Sequence, residues 1–344
     1  MIDLKQRRVQ VGAVAIAIIS IAGLLSVLRG PAVIPDFPCG NPSKNEVVIE
    51  VAKGETGSQI AETLFLNGVV KSSRAFFGVA VGDKRAATIA PGTHLIQKNL
   101  CAKEALDQML DNKRIQGLIN IFEGAWNSEI YALMEKNGFS RTEIQSALRT
   151  IELPEGYKTL EGLLFPAQYS FADGTSTLEV IRSMVSRGTF EIARSGISKG
   201  NGKYSPQQLL TIASIAQAEG NEQDFTKISR VIRNRLEIGM PLQMDSTVHY
   251  IKKLRGSIFL STKSTLLKSS YNTYRNYGLP PGPIGNPGSN AMLAAVNPEL
   301  GNWLYFITVA PFDTRFTSSA DEFSKWKVEY KKNLRAGLFR SSNK

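Results

Sequence analysis

The sequence predicts an α+β protein carried on a single amino-terminal transmembrane helix. Three observations predict it. An uncharged run of membrane-spanning length sits near the start. A strand–helix–helix–strand pattern comes next, and a longer mixed stretch of capped helices and short β-branched runs occupies the rest.

The membrane segment comes first. Residues 11–28, VGAVAIAIISIAGLLSVL, carry no charge, and Val9 and Gln10 precede them. That length spans a hydrocarbon core of about 30 Å. Lys5, Arg7 and Arg8 lie before it, which keeps a cytoplasmic tail at residues 1–8 and exports the chain beyond the helix of residues 9–28. A cleaved signal peptide is the rival, but the apolar run is long for one and no persuasive A-x-A site follows it before Arg29 and Pro31. Residues 29–46, rich in Pro, Gly, Asn and Ser, form a linker. The expected location is therefore the inner or plasma membrane, single-pass, with the body outside.

Charge and cysteines fit that compartment. Of the net charge of +11 over 344 residues, the first 29 hold +3 and residues 30–344 hold +8. A basic extracytoplasmic body suits anionic headgroups or cell-wall polymer rather than nucleic acid, although a generic solvated surface explains it equally well. Cys39 and Cys101 both lie outside, where a disulfide is permitted, and the sequence leaves their pairing open. The two histidines, His94 and His249, lie far apart, and no CxxC or HExxH spacing occurs. No metal site and no cofactor are expected, and a Ser/His/Asp hydrolase is disfavoured.

Two βα stretches match at an offset of 70 residues. Gly54, Ser58, Ile60, Asn67 and Gly68 correspond to Gly124, Ser128, Ile130, Asn137 and Gly138. Each comes after an apolar run, VVIEVA from Val47 and LINIFE from Leu118, and each continues into a helix stopped at Asn-Gly. Chance likeness between two ordinary βα units is the alternative. The first copy extends further. Ser72 or Ser73 caps a second helix, and Gly92–Ile96 returns as a strand, so residues 47–115 resemble a LysM module, a small glycan-binding fold, or else form a plain connector domain.

The remaining body, residues 116–335, carries the chemistry, and residues 336–344 form a tail. Ser205-Pro206 caps a helix reading QQLLTIASIAQAEG. At 100° per residue, Glu219 lies within about 60° of Ile212, Ile215 and Ala216, on the apolar side, in the last turn before Gly220. Desolvation and the negative helix end both raise such a carboxyl's pKa, which suits a general acid. A helix end lying beyond the core, with Glu219 merely solvated, is the other reading. The next helix carries Phe225, Ile228, Val231, Ile232 and Leu236 as its stripe, with Arg230, Arg233 and Arg235 read as a solvated face.

A polar cluster comes after it, Gln243, Asp245, Ser246 and Thr247. Tyr271-Asn272-Thr273-Tyr274 then leads into the stiff loop Gly278–Ile284. Tyrosines and an amide beside such a loop suit a sugar, or pack as a structural turn. Ser289–Val296 reads as a short helix and WLYFITVA from Trp303 as a buried strand.

The segments IASIAQAEG, NRLEIGMPLQMDSTVHY, YNTYRNYGLPPGPIGNPG and LEGLLFPAQYSF together resemble the MltG (YceG-like) endolytic murein transglycosylases, over about residues 47–330. The resemblance implies a lytic transglycosylase, a carbon–oxygen lyase that cuts the MurNAc-β-1,4-GlcNAc bond within peptidoglycan strands and leaves 1,6-anhydro-MurNAc ends. It implies glycan strands as substrate and peptidoglycan synthases as candidate partners. The family's catalytic glutamate falls on Glu219. Gln243, Asp245, Thr247, Tyr271, Asn272, Thr273 and Tyr274 fall on cleft positions, and Glu161 on the LEG glutamate, where a cleft and a structural role both stay open. Two departures occur: Gln217 replaces an acidic residue, and Ala167-Gln168 replace a polar pair. A non-catalytic wall-binding scaffold is the alternative from another class, and a hydrolase using Glu161 with Glu219 is a third.

Overall fold

The computed structural model describes residues 34–339, apart from 53, 172–173 and 256–260. The expected membrane span lies outside the described residues, among which no helix is long and apolar enough to cross a membrane. The chain divides into two compact units between Gln116 and Gly117.

In the first unit β1 (Glu46–Val51) pairs antiparallel with β2 (Gly92–Gln97), Glu46 opposite Gln97 and Val51 opposite Gly92. Between them lie α1 (Gly57–Leu66) and α2 (Ser73–Gly82), and α3 (Ala102–Met109) comes after β2. Ile49 and Val51 point inward while Val48 and Glu50 face out, the period of two that a half-buried strand requires. Thr56 and Gln59 form a capping box on α1, and the Ser72 hydroxyl accepts the Ala75 N–H at 3.2 Å to start α2. Cys39 and Cys101 are bonded, closing a 62-residue separation.

The second unit has two apolar cores. One gathers β3 (Ile119–Asn120), its antiparallel partner β4 (Gln168–Tyr169), α4 (Asn127–Lys136), α5 (Arg141–Thr150) and α6 (Thr177–Ser195) around Ile130, Leu164 and Met184. The other surrounds α7 (Pro206–Glu219) with α8 (Phe225–Glu237), α9 (Asp245–Lys252) and α11 (Ser289–Val296); a single turn, α10 (Thr262–Thr265), lies between α9 and α11. A hairpin of β5 (Tyr305–Ala310) and β6 (Asp313–Thr317) completes the order, with α12 (Ala320–Arg335) against it.

The two matching stretches share their helix ends and not their strands. Asn67 Nδ2 donates to the Thr63 carbonyl at 2.8 Å and Asn137 Nδ2 to Leu133 at 2.9 Å. Gly68 and Gly138 come next at φ of 70° and 93°, the left-handed region that glycine adopts freely. Yet β1 is six residues long and β3 only two. WLYFITVA also departs from expectation, because only Val309 of β5 is buried. A two-stranded sheet has no inner strand to bury, so its residues stay half covered.

Close approaches lock α6 to the residues after Glu161. A Cβ at Gly188 would lie 2.2 Å from the Leu163 carbonyl oxygen, which is backbone and cannot swing away. Gly188→Ala should therefore lower unfolding stability by about 1–3 kcal/mol, read by urea denaturation at constant m.

Candidate active site

Helix α7 delivers Glu219 from the middle of the core. The Ser205 cap and Pro206 begin it, as the sequence suggests, and every residue from Leu209 to Ala216 is buried. The helix is therefore enclosed on all sides, so no single apolar stripe selects the side on which Glu219 lies. The carboxylate position comes instead from where the helix ends. Gly220 leaves in extended backbone, and a Cβ there would sit 2.3 Å from Ile228 Cδ1, so its bare Cα lets α8 pack against the end of α7.

Glu219 is half-buried, and its Oε1 accepts the Ser246 backbone N–H at 3.0 Å. Ser246 is the second residue of α9, so the carboxyl meets the amino end of another helix. Burial pushes its pKa up and the Asp245 charge adds to this. Ser246, through side chain and N–H, and the Arg235 charge pull the other way, and the net direction is upward. Asp245 accepts a hydrogen bond from the Tyr274 hydroxyl, and burial, first, with that bond raises the Tyr274 pKa.

Glu161 forms a second buried carboxyl centre. Its two oxygens take the Asn127 N–H at 3.0 Å and the Tyr250 hydroxyl at 2.9 Å. Burial raises its pKa against those bonds. Tyr271 packs on Tyr250 with ring centroids 5.2 Å apart, and its hydroxyl lies beside Gly282. Both oxygens being engaged, Glu161 serves as an acceptor that ties α4 to α9.

The other expected cleft residues divide by burial. Gln243 is exposed, in left-handed backbone, and donates its N–H to the Thr273 carbonyl at 3.1 Å. Thr247, Asn272 and Thr273 are sealed from solvent and bond to protein. The Thr273 hydroxyl accepts the Met244 N–H at 2.9 Å and lies 3.0 Å from the Thr247 hydroxyl. Asn272 Nδ2 donates to the Thr265 and Leu267 carbonyls at 3.0 and 2.8 Å. In this geometry the three hold the start of α9 and the tyrosine loop in place and present nothing to a sugar. The proline loop turns inward as well: Pro280 and residues 282–288 are buried, with Gln207 Nε2 on the Pro281 carbonyl at 2.7 Å.

Two residues escape a reading of the sequence alone. Arg235, expected on a solvated face, is 7% exposed and donates to the Leu304 and Leu242 carbonyls. A signal is present, since 235 lies three and four residues beyond Ile232 and Val231 on the same stripe. Asn286 is fully buried: its Oδ1 accepts the Leu164 N–H at 2.9 Å and its Nδ2 reaches the Ala125 carbonyl and Asn127 Oδ1, both at 2.8 Å. Gln217, at the departure from the family pattern, accepts the Gly288 N–H at 3.0 Å and so anchors the start of α11. A cavity of about 630 Å³ lies elsewhere, between α5 and the start of α6, and none of these carboxyls lines it.

A half-buried carboxyl on a helix amino end, with hydroxyls and a buried cation around it, is a group able to hold and release a proton. The chain belongs to the YceG-like family, whose model matches residues 49–329. It is 31% identical over 315 residues to an endolytic murein transglycosylase of Bacillus subtilis (strain 168), covering 85% of this chain and 87% of that protein. An endolytic murein transglycosylase of Streptococcus pneumoniae (serotype 2, strain D39) is 34% identical over 153 residues, 43% of this chain and 28% of that one. The crystal structure of a putative YceG-like protein from Listeria monocytogenes superposes with a TM-score of 0.55 at 27% identity, over 82% of this chain and 99% of the other.

These contacts set two expected outcomes. Glu219 holds its proton more tightly folded than unfolded, so its contribution to stability falls as pH rises above its ordinary value of 4.5. Glu219→Gln keeps an acceptor for the Ser246 N–H and removes that titration. The Tm of Glu219→Gln minus that of the parent should therefore increase from pH 4 to pH 8 in calorimetry. Asn286→Ala strands the buried Leu164 N–H and takes a donor from Asn127 Oδ1, while the Ala125 carbonyl keeps the backbone N–H of residue 286, and should cost about 1–3 kcal/mol in denaturant unfolding.

Proposed function

We propose that this chain is a membrane-anchored endolytic peptidoglycan lytic transglycosylase that cleaves MurNAc-β-1,4-GlcNAc bonds within glycan strands. The observation that carries this reading is Glu219, half-buried at the end of α7, its pKa raised by desolvation, on the Ser246 N–H. The named relatives support the same substrate class.

The chemistry needs one carboxyl. Protonated Glu219 gives its proton to the glycosidic oxygen as the bond from that oxygen to the muramyl anomeric carbon breaks. The resulting carboxylate takes the proton of the muramyl C6 hydroxyl, whose oxygen bonds to the same anomeric carbon. Glu219 ends as it began and the product is a 1,6-anhydro ring. Hydrolysing glycosidases use two carboxyls, one of them to activate water or to attack. Here the nucleophile belongs to the substrate, so its positioning replaces the second group. The Ser246 N–H and the amino end of α9 steady the carboxylate between the two transfers. Glu161, with both oxygens occupied, is a brace in this scheme.

The anchor of residues 9–28 would hold the enzyme at the outer face of the membrane, within reach of wall strands, and the βααβ unit would add a glycan-binding surface of the LysM kind.

Mass spectrometry of peptidoglycan digested by the full chain should show anhydro-muropeptides, and Glu219→Gln should lower their release by about 10³-fold or more with folding intact. Reducing-end products would mean a hydrolase, and no cleavage by the parent chain would leave a wall-binding scaffold. Because the acid must start protonated, the rate should fall as pH rises through the elevated Glu219 pKa.

A further inference from the structure

Arg235 is the buried cation of the second unit whose role the fold does not exhaust. Its Nε donates to the Leu304 carbonyl at 2.6 Å and its Nη1 to Leu242 at 2.5 Å, while the Tyr305 ring lies 5.5 Å from the guanidinium carbon. Among the described residues no carboxylate comes within ion-pair distance of it. A buried guanidinium held only by neutral carbonyls is costly, and a structural tie between the same two carbonyls requires no charge.

The Leu242 carbonyl lies two residues ahead of Met244, the cap of α9, and α9 bears the N–H that Glu219 accepts. Arg235 and Glu219 sit on adjacent helices, α8 and α7, and act on each other electrostatically. Around Glu219, α9 contributes Asp245 and Ser246, the tyrosine loop contributes Tyr274 through its bond to Asp245, and α11 contributes no titratable residue.

We propose that Arg235 is a positioning residue for Glu219, a fixed counter-charge that steadies the carboxylate while its proton is away without pairing with it. A direct ion pair would keep Glu219 ionised and unable to donate. The Leu304 and Leu242 carbonyls prevent this by holding the guanidinium on α8, bound away from the carboxyl at the end of α7. This rests on Glu219 being the acid of the proposed reaction.

The test compares Arg235→Gln and Arg235→Lys in the full chain, with two readouts. One is the pH profile of anhydro-muropeptide release, and the other is the Glu219 carboxyl titration followed by carbon-13 NMR. Removing the charge should move the basic limb and the Glu219 titration to higher pH and lower the maximal rate roughly tenfold. Arg235→Lys keeps a cation and should leave both near the parent's values, even with a lower Tm. Equal behaviour of the two variants with an unmoved titration would make Arg235 a brace only, and so would a failure of Arg235→Lys to fold; either overturns the proposal. If the parent chain releases no anhydro products the catalytic reading fails, and the NMR titration still decides this one.

Discussion

The contact between the Ser246 N–H and the Glu219 carboxyl joins the closing turn of one helix to the opening turn of another. The negative end of α7 and its burial favour a proton on Glu219, while the amino end of α9 favours its loss. A group balanced between the two can give and recover a proton at modest cost in either direction. Neither helix achieves this alone.

The surrounding polar residues keep α9 where that balance requires it. Thr273 binds the Met244 N–H and meets Thr247, Gln243 is pinned through its backbone, and Asn272 gathers carbonyls from the end of α10 and the loop after it. Asn286 does the same work on the other side, joining the Ala125 backbone, Asn127 and Leu164. Buried amides satisfied at several atoms are rigid, because breaking one bond strands its partner in a dry interior. The motif residues thus shape the site largely from behind its surface.

Local signals are the legible part of the sequence. Ser205 with Pro206, Ser72 and the Asn-Gly stops are chemistry of neighbouring residues, and each helix begins or ends where they indicate. Glu219 at a helix end is likewise readable, although an apolar stripe does not select its side, since α7 is enclosed all round. Motif membership does not tell a residue that faces a ligand from one that supports its neighbours, which is why Asn272 and Thr273 resemble cleft residues. Arg235 misleads for the opposite reason. A charged residue on an apolar stripe invites the assumption that it snorkels outward, yet here two carbonyls receive it inside. The βααβ order is visible in the first unit because its turns are local, whereas the β3–β4 pairing joins residues about fifty positions apart and leaves no local trace.

Helix α7 is pinned at Ser205 by its cap and finishes on Glu219 itself, fourteen residues on. It therefore measures out the location of the carboxyl. One residue added or removed between those points would turn the carboxyl by about 100° and shift it about 1.5 Å along the axis, away from its partner. An insertion or deletion elsewhere in the chain leaves that placement alone, whereas the span from cap to carboxyl is a ruler that cannot be recut.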